Sequence, residues 1–392
     1  MAAGNGLRVG LVGYSFMGQA HSQAWRNVAS FFDVPLRPEM AVLCGRSEDK
    51  ARRAAEQLGW REVETDHRRL IERDDVDLID VCTPGASHAE IAIAALEAGK
   101  HVLCEKPLAN TVDEAEAMAA AAEKAAASGV RAMVGFNYRR VPAIAHARRL
   151  IADGRLGDVR HVRAVYLQDF LVDPDVPLMW RLDKEQAGSG ALGDIGAHII
   201  DLVQHLLDDQ IRHVSALLET FITERPIQGD GSGLSGSAAA DQGTGEVTVD
   251  DACLFLARLA SGAVGTFEAT RMATGRKNGL GIEVNGSDGS LAFDLERLNE
   301  LAFYDARQDG PEQGFRRILV TEAEHPWVEA WWPPGHVLGW EHTFVHEVRD
   351  LLHALAAGEQ PTPSFGDGLG VQRVLGAVEA SAADGRWHDV AP

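Results

Sequence analysis

Strand-like and helix-like segments alternate about six times within the first 136 residues, and nothing else in the chain constrains the fold as tightly. The strands are residues 7–12, 40–44, 75–82, 101–104 and 130–136, with helical stretches running from the Gly18 turn through Trp25, over 89–98 and over 112–127. The strand over 75–82 is almost continuously apolar, the mark of a strand covered on both faces of a parallel sheet. Strands that alternate with helices in this way form a doubly wound parallel sheet of an α/β protein.

The first strand runs into Gly13-Tyr14-Ser15-Phe16-Met17-Gly18. This is G-x-G-x-x-G with Ser15 at the middle glycine. In such a turn the first glycine permits the tight bend, the middle one lets the backbone approach a pyrophosphate, and the third allows close helix–strand packing. Main-chain N–H groups at the helix start then hold the anion. Gly13, Ser15, Phe16 and Met17 are therefore candidate cofactor-binding residues. After the second strand, where an acid would bind the ribose hydroxyls of NAD, the chain reads Gly45-Arg46-Ser47. An arginine there accommodates a 2′-phosphate, so Arg46 favours NADP, with NAD as the alternative.

The fourth strand ends in Cys104-Glu105-Lys106-Pro107-Leu108, just ahead of the Ala-rich helix. Ligands of open α/β sheets bind at the carboxyl ends of the strands. Glu105 and Lys106 thus stand where a cofactor or substrate would lie. Thr83, Pro84 and His88 follow the preceding strand at the same edge.

Beyond Asn137 the rhythm changes. A helix over 141–152 precedes strand-like runs at 159–168, 251–260, 263–270, 281–284 and 290–293, with few helices between them. Asn285-Gly286-Ser287-Asp288-Gly289 is a hairpin turn. This second sheet is expected to be largely antiparallel. The tail reads as helices over 340–357 and 370–383, and the Gly/Ser/Ala-rich run 229–245 as a mobile loop or arm. Between these lies Gly190–Leu202, where Ile195, Ile199 and Leu202 recur at helical spacing beside a polar stripe of Asp194, His198, Asp201 and His205. Asp194 and His198 are four apart and can meet. A carboxylate beside an imidazole suits a general base, and it is equally compatible with a surface pair or with metal ligation. No H-E-x-x-H signature favours a metal, so none is assigned.

A net charge of -21 repels phosphate polymers and argues against a nucleic-acid partner. No apolar run reaches the length of a membrane span and no signal peptide is visible, so a cytoplasmic protein is expected. The four cysteines, Cys44, Cys82, Cys104 and Cys253, form no C-x-x-C pair and read as reduced, buried thiols.

Taken together, the Gly13–Gly18 turn with Ala20-His21, Thr83-Pro84 with His88, Glu105-Lys106-Pro107, Gly135–Arg140 and Gly190–Asp201 resemble the Gfo/Idh/MocA (glucose–fructose oxidoreductase / inositol dehydrogenase) family, in family order, over roughly residues 7–300. The resemblance implies an N-terminal Rossmann domain, taken as 1–137, and a C-terminal α/β domain, taken as 138–392, with a large, mostly antiparallel open sheet used for oligomerisation. It carries the catalytic set over to Lys106, Asp194 and His198, and it implies a Lys106-Pro107 peptide that is often cis. Stretches such as Tyr166–Asp169, Pro177–Arg181 and Glu224–Pro226 are similar to a branch of sugar and anhydrosugar dehydrogenases, one that points to NAD rather than NADP.

The implied reaction is hydride transfer between a secondary hydroxyl of a sugar, anhydrosugar or cyclic polyol and a nicotinamide. In that reading His198 takes the proton, Lys106 stabilises the alkoxide and Asp194 orients the imidazole or a neighbouring hydroxyl. Tyr138, Gln168, Trp180 and Arg181 line the sugar site, and a homodimer or homotetramer is expected. Two other classes stand beside it: a nucleotide-binding regulator without turnover, and redox-neutral chemistry assisted by NAD.

Overall fold

The computed structural model describes residues 6–227 and 243–391. The chain divides into two compact units, residues 1–137 with 340–372, and residues 138–339 with 373–392.

The first unit is built on a six-stranded parallel sheet. In chain order its elements are β1 (Gly6–Val12), α1 (Phe16–Phe31), β2 (Arg37–Cys44), α2 (Glu48–Leu58), β3 (Glu62–Glu64), α3 (His67–Ile71), β4 (Leu78–Val81), α4 (His88–Glu97), β5 (His101–Glu105), α5 (Val112–Ala126) and β6 (Ala132–Gly135). The strand order β3-β2-β1-β4-β5-β6 is that of a Rossmann sheet, with the switch point between β1 and β4. Val9, Leu11, Leu78, Ile79, Val102 and Leu103 are wholly buried, as expected of strands covered on both sides. Helix α5 starts at a capping box in which the Thr111 hydroxyl accepts from the Glu114 N–H and the Glu114 carboxylate accepts from the Thr111 N–H.

The expected division at residue 137 is incomplete. Helix α9 (His342–Ala357) belongs to the first unit, where it packs along α1. Phe344, Val345, Val348, Leu351 and Leu352 are buried there, each contributing about 1.5–3 kcal/mol. The segment after α9 closes the β6 edge of the sheet. Arg131 Nη2 donates to the Gly358 carbonyl at 2.7 Å, Gln360 Nε2 to the Ala132 carbonyl at 2.7 Å, and Val134 N–H to the Pro363 carbonyl at 2.9 Å. An open strand edge invites pairing with other chains, and this one is covered.

The second unit contains α6 (Pro142–Ala152), β7 (Val159–Leu167), α7 (Lys184–Ala187), α8 (Ala197–Leu207), β8 (Ile211–Glu219), β9 (Glu224–Pro226), β10 (Thr244–Glu246), β11 (Ala252–Leu259), β12 (Val264–Thr270), β13 (Gly279–Gly286), β14 (Gly289–Asp294), β15 (Glu300–Asp305), β16 (Arg316–Leu319) and β17 (His388–Asp389). The last helix of the chain, α10 (Phe365–Asp384), contributes residues to both units. Nine strands form one sheet in the order β16-β15-β14-β13-β7-β12-β11-β8-β17. Every pairing is antiparallel except β7 with β12. On β11, Cys253, Phe255, Ala257 and Leu259 are buried, with Phe255 and Phe267 stacked at 4.5 Å, while Leu254 and Leu256 on the opposite face are 43% and 50% exposed. Helices α6 and α8 pack together, and both make contacts with the sheet. The Gly/Ser/Ala-rich run falls outside the described residues except for its last three positions, of which Thr244 and Gly245 pair with Pro226 and Arg225 in a short β9–β10 hairpin.

Among the described residues no helix is long and apolar enough to cross a membrane. All four cysteines are unpaired and buried.

Candidate active site

In the first unit, the β1–α1 turn needs its glycines. Gly13 has φ +97°, and a Cβ on it would meet the Cys82 carbonyl oxygen at 2.6 Å. A Cβ on Gly18 would collide with the Gly13 carbonyl, so the third glycine lets α1 close onto the turn. Ser15 and Phe16 are exposed and Met17 is half-buried at the first turn of α1, which leaves main-chain N–H groups facing outward for a diphosphate. The residues present fit a dinucleotide. At the end of β2 the Tyr14 ring lies over Gly45, and a Cβ there would collide with it. Arg46 beside it is exposed.

Thr83 and Pro84 sit at the rim beyond β4, with the Ser87 hydroxyl donating to Thr83 Oγ1 at 2.8 Å. His88 has another place than the rim. Its ring is buried, with Nε2 at 2.8 Å from the Thr83 carbonyl and Nδ1 at 3.1 Å from the Pro107 carbonyl. Burial pushes this imidazole below its usual value, and the neutral ring, packed against the loops after β4 and β5, donates its one hydrogen bond to a carbonyl of one of them. Glu105 also departs from expectation, since its carboxylate turns into the interior, where Nε2 of His21 lies 2.9 Å from Oε1. Both side chains are buried against the loop that carries half-buried Lys106, and the Lys106-Pro107 peptide is cis.

The second unit holds the other half of the candidate set. A π-helical turn, Leu192–Gly196, runs directly into α8. Such turns recur at functional sites because they redirect a side chain without ending the helix. Gly190 and Leu192 N–H donate to the Asp250 carboxylate at 2.7 and 2.8 Å, which pins the turn. Asp194, in the turn, lies 3.6 Å from Nη1 of Arg271 and 3.9 Å from Nε of Arg181. Arg271 is wholly buried and also donates to the Asp250 and Arg181 carbonyls. The Arg181 guanidinium stacks on Trp180, 4.3 Å from the ring centroid.

His198, in the first turn of α8, packs beside two tyrosines, with ring centroids 4.6 Å from Tyr138 and 5.8 Å from Tyr166. The tyrosine hydroxyls are 2.9 Å apart, Tyr166 donates to Asn278 Oδ1 at 2.7 Å, and Gln168 Nε2 donates to the same oxygen at 2.8 Å. Burial pushes the Tyr166 phenol well above its ordinary value, so it serves as a neutral hydrogen-bonding group. The other polar residues of the stripe have structural partners. Asp201 holds Arg139 in a buried ion pair, and His205 accepts from Arg148 Nη1 at 3.1 Å.

Tyr166, Asn278 and Arg271 were not singled out from the sequence. Tyr166 was within reach, being two residues from Gln168 on one strand and therefore on the same face. No local signal marks Asn278 or Arg271.

A glycine-rich dinucleotide turn on a Rossmann sheet is the framework of a nicotinamide-dependent oxidoreductase, and the relatives place its chemistry on CH–OH groups. The family follows from comparison. Residues 7–136 match the oxidoreductase family with an NAD-binding Rossmann fold, and residues 144–292 match the GFO/IDH/MocA C-terminal domain. The chain belongs to the Gfo/Idh/MocA family and is an NAD(P)-dependent dehydrogenase of the sugar and polyol class.

Levoglucosan dehydrogenase of Pseudarthrobacter phenanthrenivorans is 42% identical over 98% of both chains. Among solved structures, an oxidoreductase domain protein from Kribbella flavida is 63% identical with a TM-score of 0.94, covering 99% of this chain and 100% of that one. A levoglucosan dehydrogenase in complex with NADH and levoglucosan is 41% identical with a TM-score of 0.92, covering 99% and 100%.

Proposed function

We propose that this protein oxidises a secondary hydroxyl of a neutral sugar or anhydrosugar, with Lys106, Asp194 and His198 as its catalytic residues. A bound nicotinamide dinucleotide supplies the acceptor for the hydride that leaves the carbinol carbon. His198 takes the hydroxyl proton as the C–O bond gains double-bond character, and it returns that proton when the reaction runs backwards. Lys106 donates a hydrogen bond to the same oxygen and stabilises the charge that develops on it. Asp194, held by Arg271 and Arg181, keeps a fixed orientation toward the imidazole or a substrate hydroxyl.

The observation that carries this reading is the setting of His198, a ring packed against two tyrosines at the start of the helix that the turn bearing Asp194 runs into. Tyr138, Gln168, Trp180 and Arg181 supply what a sugar needs, aromatic faces for C–H groups and amide or guanidinium donors for hydroxyls. Two cations near the sugar strip are matched by carboxylates, Arg181 by Asp194 and Lys277 by Asp169 at 2.7 Å, which favours an uncharged saccharide over a phosphorylated one. Levoglucosan, named for the solved relatives, is the first compound to test.

Cofactor use follows two observations. Arg46, with no acid beside it, supports NADP; the NADH bound in the solved relatives supports NAD. The proposal is that both are accepted, Arg46 carrying the preference for the 2′-phosphate. The exposed leucines of the nine-stranded sheet, with Leu254 paired directly opposite Leu217, support a homodimer or homotetramer formed through that face. Unpaired, buried thiols support a reducing compartment, the cytoplasm.

The test is Lys106→Met assayed at 340 nm against levoglucosan, inositols and pyranoses. Turnover should fall by about two to three orders of magnitude, the scale of a lost charge-stabilising donor, while NADH binding persists. Full activity of that variant on a substrate of the wild type would overturn the assignment.

A further inference from the structure

Behind the Lys106 loop lies a buried polar cluster that neither the dinucleotide turn nor the substrate strip uses. At its centre is His21, on α1 and three residues past Gly18, with no exposed surface. Its Nδ1 faces both Asp80 oxygens at 2.9 and 3.0 Å, and its Nε2 faces Glu105 Oε1 at 2.9 Å. Asp80, on β4, also accepts from Trp25 Nε1 at 2.7 Å and from Cys82 Sγ at 3.6 Å. Glu105 ends β5, and its second oxygen accepts from the Lys106 N–H at 3.2 Å.

A ring with carboxylates at both nitrogens donates from both, so it is an imidazolium. Burial opposes that charge, but the Asp80 carboxylate outweighs it and holds His21 well above its ordinary value. The cluster therefore joins three parts of the site. Helix α1 forms the phosphate turn with its first residues, β4 ends in the loop packed against His88, and β5 delivers the lysine.

Two other roles fit less well. His21, Asp80 and Cys82 have ligand atoms within 4.8 Å of one another, a spacing a metal ion accepts. Yet Trp25 Nε1 donates into Asp80, and the second ring nitrogen is committed to Glu105, so the cluster is already closed around an organic cation. Plain stabilisation is also a poor account, because buried ion pairs are often replaceable by apolar side chains without loss. What an apolar contact would not supply is a bond directed at the Lys106 peptide.

We propose that His21 is a positioning residue for Lys106: clamped between Asp80 and Glu105, it fixes the end of β5 and so the direction in which the lysine side chain leaves the strand. This rests on the reading of Lys106 as the group that meets the substrate oxygen. The ring touches neither substrate nor cofactor and acts through Glu105.

The experiment is steady-state kinetics and NADH titration by fluorescence on His21→Gln and Glu105→Gln, with metal analysis of the wild type and Lys106→Met as control. Glu105→Gln keeps its size and one hydrogen bond to His21. Both variants should lose kcat by about tenfold to a hundredfold, the scale of a 1 Å misplacement, with KM and NADH affinity within about twofold of wild type. Should either be unfolded, Trp25→Phe removes one donor to Asp80, and a loss of kcat by about twofold to tenfold carries the same test. Folded variants with wild-type kcat would sink the proposal. So would NADH affinity falling in step with kcat, which places the lesion at the α1 turn, and so would one equivalent of bound metal. An active Lys106→Met would instead undo the catalytic assignment itself.

Discussion

Removing the Asp201 carboxylate should strongly destabilise this protein. Arg139 Nε lies 2.9 Å from Asp201 Oδ2 and Nη2 lies 2.5 Å from Oδ1, a bidentate pair with side chains 8% and 1% exposed. In Asp201→Ala the guanidinium keeps its burial and loses its counter-charge. Breaking a buried pair from one side costs about 3–5 kcal/mol. For a unit of this size about 2–4 °C of melting temperature accompanies each kcal/mol, so a drop of about 6–20 °C is expected by calorimetry. The double variant Arg139→Met/Asp201→Leu removes both charges and should recover most of the loss. Activity should fall as well, since Arg139 adjoins Tyr138 in sequence and Asp201 lies one turn past His198. A single variant within about 1 kcal/mol of wild type, or a double variant no more stable than the single one, would refute the reasoning.

Three further outcomes are expected. Arg46→Ala should lower kcat/KM for NADP by about tenfold or more and leave NAD nearly unchanged, the value of a lost charge-assisted hydrogen bond; NADP turnover indifferent to this change would show that Arg46 reads no phosphate. His205, lowered to about 2 by burial and by Arg139 and Arg148, stays neutral in the folded chain, whereas the unfolded chain takes up a proton below about pH 6.5. Stability therefore falls with falling pH across that window by about 1.4 kcal/mol per unit, and urea unfolding at pH 7 and pH 5 should show about 2 kcal/mol of acid loss that His205→Leu lacks. Leu254→Lys or Leu256→Lys should shift the protein to a smaller species in sedimentation velocity; unchanged mass would remove the sheet face from the interface.

Much of the fold was legible because short, nearly continuous apolar runs alternate with stretches of helical period about 3.6 through the first unit. Val9 and Leu11, or Val102 and Leu103, announce covered strands without help from elsewhere. The attachment of α9 was not legible. Its apolar stripe says that it must be buried, and nothing in the stripe says against what. The short strand Glu62–Glu64 was missed for want of any apolar signature.

At the candidate site, spacing points to Asp194 and His198, and the strand end points to Lys106. The direction of Glu105 escaped, because a carboxylate at the end of a strand covered on both sides can turn either way. Only the position of His21, more than 80 residues earlier in the chain, decides it. Arg271 escaped for a similar reason, since its role depends on Asp250 and on the turn that Asp250 pins.

The return of α9 to the first unit has a consequence for biogenesis. On the ribosome, residues 1–137 emerge with the apolar flank of α1 bare and the outer border of β6 unsealed. Their missing parts, residues 340–372, are encoded only after residues 138–339 of the second unit. At translation rates of about 5–20 residues per second, the interval is on the order of ten to fifty seconds. Through that time the nascent nucleotide-binding half is a client for chaperones, and a stop codon anywhere before residue 340 would leave it permanently unfinished.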